Sequence, residues 1–132
     1  MSGRDVIIEM NKAIFQEAIK DVEDKGKVLV IKFSATWCKP CQRCKPLCEE
    51  WFTKMPENVI LVELDIDEQI DIYATLKARR MISGIPAILA WYPESEHDHN
   101  PWYIPDDIVN DSAEQGINRF FERVLEVANQ MS

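Results

Sequence analysis

The six-residue run Val28 to Phe33, apolar but for Lys32, leads straight into Ser34-Ala35-Thr36-Trp37-Cys38-Lys39-Pro40-Cys41. Its length and β-branched content are those of a buried strand. Lys and Arg then alternate with polar and apolar residues at helical spacing, so the segment reads strand, short turn, helix. Pro40 suits the first helical turn, where its missing N–H would have had no partner. Cys38 therefore falls at a helix N-terminus, where free N–H groups and the helix dipole favour a thiolate. A reactive dithiol needs that environment.

At 132 residues there is room for one domain, 1–132, with a single sizeable core. The hydrophobic fraction of 46% and charged fraction of 29% are those of an ordinary globule. A net charge of -8 argues against binding a phosphate backbone, so no nucleic-acid partner is expected. The N-terminus leads only into the short apolar run Val6-Ile7-Ile8, too brief for a signal peptide or a span. The expectation is a cytoplasmic protein without membrane contact, in a compartment where thiols stay reduced. Four cysteines within 11 residues then read as reactive, metal-binding or buried rather than as a disulfide framework.

Val6 to Met10 reads as a short first strand and Asn11 as an N-cap. Ile14, Phe15, Ala18, Ile19 and Val22 recur at helical spacing, with Lys25-Gly26 as the stop. The helix after the cysteines carries Leu47, Trp51 and Phe52 and breaks near Pro56. Val59 to Asp67 is a second apolar strand, and Ile70, Tyr73 and Leu76 mark a third helix. After the turn Ser83-Gly84-Ile85-Pro86, Ala87 to Tyr92 reads as a strand. Glu94 to Asn100 reads as a hairpin loop before an edge strand near Trp102 to Ile104. Ser112 with Gln115 has capping-box spacing, and Ile117, Phe120, Phe121, Val124, Leu125 and Ala128 give an amphipathic last helix. The order β-α-β-α-β-α-β-β-α predicts one α/β domain with a mixed sheet covered by helices on both faces.

Here the chain resembles the thioredoxin family. Phe33-Ser34-Ala35-Thr36-Trp37-Cys38-Lys39-Pro40-Cys41 is similar to the family's active-site segment. Pro46 matches the proline that kinks its active-site helix, Leu64-Asp65-Ile66-Asp67 its third strand, and Gly84-Ile85-Pro86 its cis-proline loop. The resemblance implies a three-layer α/β/α sandwich with about five strands flanked by four helices. It also implies that Cys38, exposed at the helix start, attacks a substrate disulfide. Cys41 would then resolve the mixed disulfide, leaving a Cys38–Cys41 disulfide. Lys39 would add positive charge beside the nucleophile. Trp37, Ile85 and Pro86 would frame the site for a peptide. No cofactor would be bound. Electrons would come from NADPH through a thioredoxin reductase, which with disulfide-containing proteins completes the expected partners of a monomer. The rivals are a glutathione-coupled or oxidising variant and an adaptor module that binds without turnover.

Departures from the family pattern are equally specific. Lys39 replaces the usual glycine, and Ser34 an aromatic. The segment Ile104-Pro105-Asp106-Asp107-Ile108-Val109 lacks the glycine that helps form the peptide groove. Six residues before the first cysteine, Lys32 stands where the family carries a buried Asp, and Glu63 stands where it often has a Lys. The expectation is a charge-reversed pair, with Glu63 held ionised by Lys32 and serving as the base near Cys41. The plainer alternative is that Lys32 snorkels to the sheet edge and Glu63 is solvated.

Cys44 and Cys48 complete a C-x2-C-x2-C-x3-C spacing that also occurs in ferredoxins. On a helix the first and last of these sulfurs stand ~15 Å apart along the axis, too far to share a cluster. With Phe52, Cys41, Cys44 and Cys48 form a core-facing stripe, so buried thiols are expected, with redox sensing or a second disulfide as the alternative and no metal. His97 and His99, among acidic neighbours, read as a solvated loop tip. Lys77, Arg79 and Arg80 read as favourable charges at a helix end, and Arg43 and Lys45 as a solvated face.

Overall fold

A computed structural model describes residues 5–93 and 101–131. The chain order is α1 (Lys12–Lys25), β1 (Val28–Ser34), α2 (Lys39–Lys54), β2 (Val59–Asp65), α3 (Asp71–Ala78), β3 (Ala87–Trp91), β4 (Asp107–Val109) and α4 (Glu114–Met131). The sheet runs β2-β1-β3-β4, with β1 parallel to β2 and the other two pairings antiparallel. Among the described residues, no helix is long and apolar enough to cross a membrane.

Local chemistry sets the ends of the elements. Asn11 caps α1, its Oδ1 accepting from the Ile14 N–H at 2.9 Å, and Gly26 closes that helix at a φ of 66°. Into α4, Asp111 Oδ1 accepts from the Ala113 N–H at 2.8 Å, one residue ahead of the Ser112–Gln115 spacing.

Alternation along β1 divides the core. Leu29, Ile31 and Phe33 pack with Phe15, Ala18 and Val22 of α1 and with Ile72, Tyr73 and Leu76 of α3. Val28 and Val30 face the other way, against Cys44, Cys48 and Phe52 of α2 and Ile117, Phe120 and Phe121 of α4. Full burial of each large apolar side chain contributes roughly 1.5–3 kcal/mol, so both faces are firmly held. The result is the expected three-layer sandwich with four helices.

Two strands differ from expectation. The first is reduced to a bridge: Ile7 pairs with Val62, its N–H donating to Leu61 O and its C=O accepting from Glu63 N–H, both at 2.9 Å. Beyond it the backbone leaves the sheet, because the Met10 N–H donates to Gln69 Oε1. The sheet therefore has four strands rather than five. The edge strand lies at Asp107–Val109 instead of Trp102 to Ile104. Trp102 folds onto Phe15, with ring centroids 5.2 Å apart, and Tyr103 lies beneath the Arg79 guanidinium. Aromatic packing against α1 outcompetes ladder pairing there, and Pro101 and Pro105 have no N–H to give a ladder. The expected hairpin loop, Glu94 to Asn100, lies outside the described residues.

Candidate active site

The parallel β1–α2–β2 unit carries the dithiol from the C-terminal end of β1 to the start of α2. Cys38 is the N-cap of α2 and is disulfide-bonded to Cys41, with Cα atoms 5.2 Å apart. The Cys41 N–H donates to Cys38 Sγ at 3.3 Å, so the sulfur sits on the positive end of the helix. Pro40 occupies the first turn, and the Lys39 side chain is exposed beside it. Such an arrangement stabilises a Cys38 thiolate in the reduced state, the form that attacks disulfides.

Cys38 is not exposed, as the sequence led one to expect, but only 5% accessible. It packs with Ala35 and Cys41 under Ile66 and Ile85, residues supplied by two distant loops. Trp37, by contrast, is 63% exposed, its indole N–H donating to Asp67 Oδ2 at 2.8 Å. The Ile85–Pro86 peptide bond is cis, and the Ile85 carbonyl oxygen stands 3.9 Å from Cys38 Sγ. Trp37 and Ile85 thus stand beside the dithiol, with Pro86 next in the chain.

Lys32 and Glu63 lie side by side on the parallel rung between β1 and β2. The Lys32 side chain is 2% exposed and its Nζ donates to Glu63 Oε2 at 3.2 Å, so the lysine does not snorkel to solvent. Glu63 keeps 28% of its side chain accessible. Both line a cleft of about 540 Å³ with Cys41, Gln42, Lys45, Asp65 and Gln69. The charge-reversed pair therefore exists, and it opens to water beside the inner sulfur.

Beneath α2, Cys44 and Cys48 are buried free thiols, and the Cys44 S–H points to the Cys41 carbonyl at 3.5 Å. A hydrogen bond from Cys48, helped by the Lys32 ammonium, outweighs burial and brings Cys44 down to about 6. The same shared proton, together with burial, pushes Cys48 well above the ordinary thiol range. Among the described residues, no three His, Cys, Asp or Glu side chains group as a metal set. His97 and His99 lie outside those residues.

Two site residues carry no signal in the sequence. Asp67, which holds Trp37, reads only as the end of a strand. Asn110, which the sequence gives no cue to single out, has its amide bonded to the Ser83–Pro86 loop. The β3–β4 pairing brings Asn110 abreast of that loop.

A mixed sheet between two helical layers, with a disulfide-forming Cys-x-x-Cys at a helix N-terminus beside an Ile-Pro loop, defines a thioredoxin-fold dithiol domain. The Thioredoxin family model matches residues 6–101. Thioredoxin H5 of Oryza sativa subsp. japonica is 35% identical over 80 residues, which cover 56% of this chain and 58% of that protein. Thioredoxin of Oryctolagus cuniculus is 38% identical over 71 residues, 54% of this chain and 65% of that one. The chain thus spans less than two thirds of the length of these relatives. Among solved structures, thioredoxin O1 of Arabidopsis thaliana superposes with a TM-score of 0.67 at 20% identity, covering 92% of this chain and 99% of its own. Malassezia sympodialis thioredoxin does so at 0.63 and 21%, covering 93% and 94%. The chain belongs to the thioredoxin family.

Proposed function

We propose that this chain is a thiol–disulfide oxidoreductase that reduces protein disulfides. The observation that carries the reading is the Cys38–Cys41 disulfide at the start of α2, with Cys38 Sγ accepting the Cys41 N–H. In the reduced protein the Cys38 thiolate attacks one sulfur of a substrate disulfide. That S–S bond breaks as the mixed disulfide forms, and the substrate's other sulfur leaves as a thiolate. Cys41, deprotonated, then attacks Cys38 Sγ. The second substrate thiolate departs and the Cys38–Cys41 bond closes. Two electrons have passed to the substrate. An extended peptide pairs with the Ile85 backbone and rests on Trp37.

Glu63 is the base for Cys41 in this scheme, reached through the cleft both residues line, with the Lys32 ammonium holding its carboxylate in place at 3.2 Å. Electrons return from NADPH through a thioredoxin reductase, which suits a monomer in a reducing compartment such as the cytoplasm. The test is NADPH oxidation in the presence of thioredoxin reductase and insulin. Steady oxidation that requires all components supports the proposal. Turnover that depends instead on glutathione favours the glutathione-coupled variant, and binding without any turnover the adaptor.

A further inference from the structure

The loop that meets the substrate is held by one side chain. Asn110 Oδ1 accepts from the Ser83 N–H at 2.7 Å and from the Ser83 hydroxyl at 3.1 Å. Its Nδ2 donates to Gly84 O at 2.9 Å and to Pro86 O at 3.0 Å. Every donor and acceptor of the amide is thereby used on four groups of one loop. Apart from these bonds the loop is held by packing, with Ile85 against Ala35 and the dithiol and Pro86 buried. Ser83 is exposed, Gly84 and Ile85 are half-buried, and a methyl group added at Gly84 would meet nothing within 4 Å. Ladder pairing with β1 begins only at Ala87. Asn110 itself is well placed, because Val109 pairs with Ile88 and the register sets residue 110 abreast of Ala87.

We propose that Asn110 is a positioning residue for the reaction, clamping Ser83–Pro86 so that the Ile85 backbone lies beside Cys38 and accepts a protein substrate. The proposal deepens the protein-disulfide reading and rests on it. Asn110 touches neither sulfur. Its effect falls on substrates that need the Ile85 backbone and spares small disulfides that need only Cys38.

The test compares single-turnover oxidation of the reduced protein by insulin and by 5,5′-dithiobis(2-nitrobenzoic acid). In Asn110→Asp the two acceptor bonds persist, but Gly84 O and Pro86 O face a carboxylate. In Asn110→Ala all four bonds are lost. Both variants are expected to react with insulin about tenfold more slowly, the equivalent of one or two hydrogen bonds, and with the small disulfide at the wild-type rate. Equal slowing with both substrates, or none with insulin, overturns the clamp. Amide exchange reads it without any substrate: the Ser83 N–H should exchange at least ~10-fold faster in Asn110→Ala while α2 amides do not change. Unchanged Ser83 exchange overturns the proposal. If wild-type protein reacts with the small disulfide but never with insulin, the protein-disulfide reading fails, and Ser83 exchange still decides the clamp.

Discussion

The two cysteine pairs of α2 occupy one helix and yet differ in everything that governs sulfur chemistry except burial. Cys38 is 5% exposed and Cys44 4%, so accessibility alone does not separate them. Position does. Cys38 is the N-cap, beneath Ile66 and Ile85 of two loops and 3.9 Å from the Ile85 carbonyl. Cys44 and Cys48 lie in the core with Val28, Val30 and Phe121, between α2, the sheet and α4. Acidity does not rescue the inner pair: Cys44 is brought down to about 6 but is packed into the core with Val28, Val30 and Phe121. A low thiol pKa without access is a structural property rather than a reactive one.

Breaking the outer pair should have the largest effect. Cys38→Ser should abolish insulin reduction, whereas Cys41→Ser should still attack and accumulate a mixed disulfide, visible as an added mass that dithiothreitol removes. Trapping by Cys38→Ser and not by Cys41→Ser would reverse the two roles. Next comes the ion pair that lies under both pairs. Glu63→Gln leaves the Lys32 ammonium without its partner, and urea unfolding should show a loss of about 2 kcal/mol. That is less than for a fully buried pair, because Glu63 borders the open cleft. The resolving step should slow as well. Normal stability and normal resolution in this variant would remove Glu63 from the mechanism.

The inner pair should respond more weakly. Replacing Cys44 and Cys48 together by Ala should cost about 1–2 kcal/mol of stability through lost packing and leave turnover within about twofold. Loss of turnover in a folded double variant would merge the two pairs into one redox unit. The smallest effect is in pH dependence. In Cys38→Ser/Cys41→Ser, thiolate absorbance should show one proton lost near pH 6, and Cys48→Ala should move that step upward. Cys44 is depressed below its unfolded value of ~8.5, so its stabilisation is present above that pH and fades as pH falls through about 6. Cys48 is raised, so its contribution is complete below ~8.5 and is lost as pH rises further. Stability should therefore peak between these arms, and a flat profile from pH 6 to 9 would contradict the shared proton.

What could be read from the sequence was local. Val28–Phe33 is recognisable because it is apolar throughout but for Lys32, α1 because Asn11 and Gly26 bracket a helical stripe, and the dithiol because strand, turn and Pro40 are contiguous. What escaped depends on contacts between distant segments. A three-residue strand such as Asp107–Val109 has no period to detect, and Trp102 and Tyr103 look like strand residues until Phe15 and Arg79 claim them. The recess over Cys38 exists only once Ile66 and Ile85 have come together, and Asn110 finds its partners only through the β3–β4 register. Lys32 and Glu63 stand between these cases, since their identity announces a pair while its exposure to the cleft does not.

A sheet invites another chain wherever its last strand leaves N–H and C=O groups unpaired over a useful length. β4 offers three residues, which span only ~10 Å. Its first residue, Asp107, is drawn down onto α4, its carboxylate gripping Arg123 at 2.6 and 2.9 Å and accepting the Tyr92 hydroxyl at 2.8 Å. Pro105 lies just upstream. A neighbouring strand seeking to extend the sheet would find a template too short to hold it, beginning on a side chain already committed elsewhere, so this edge resists templated aggregation.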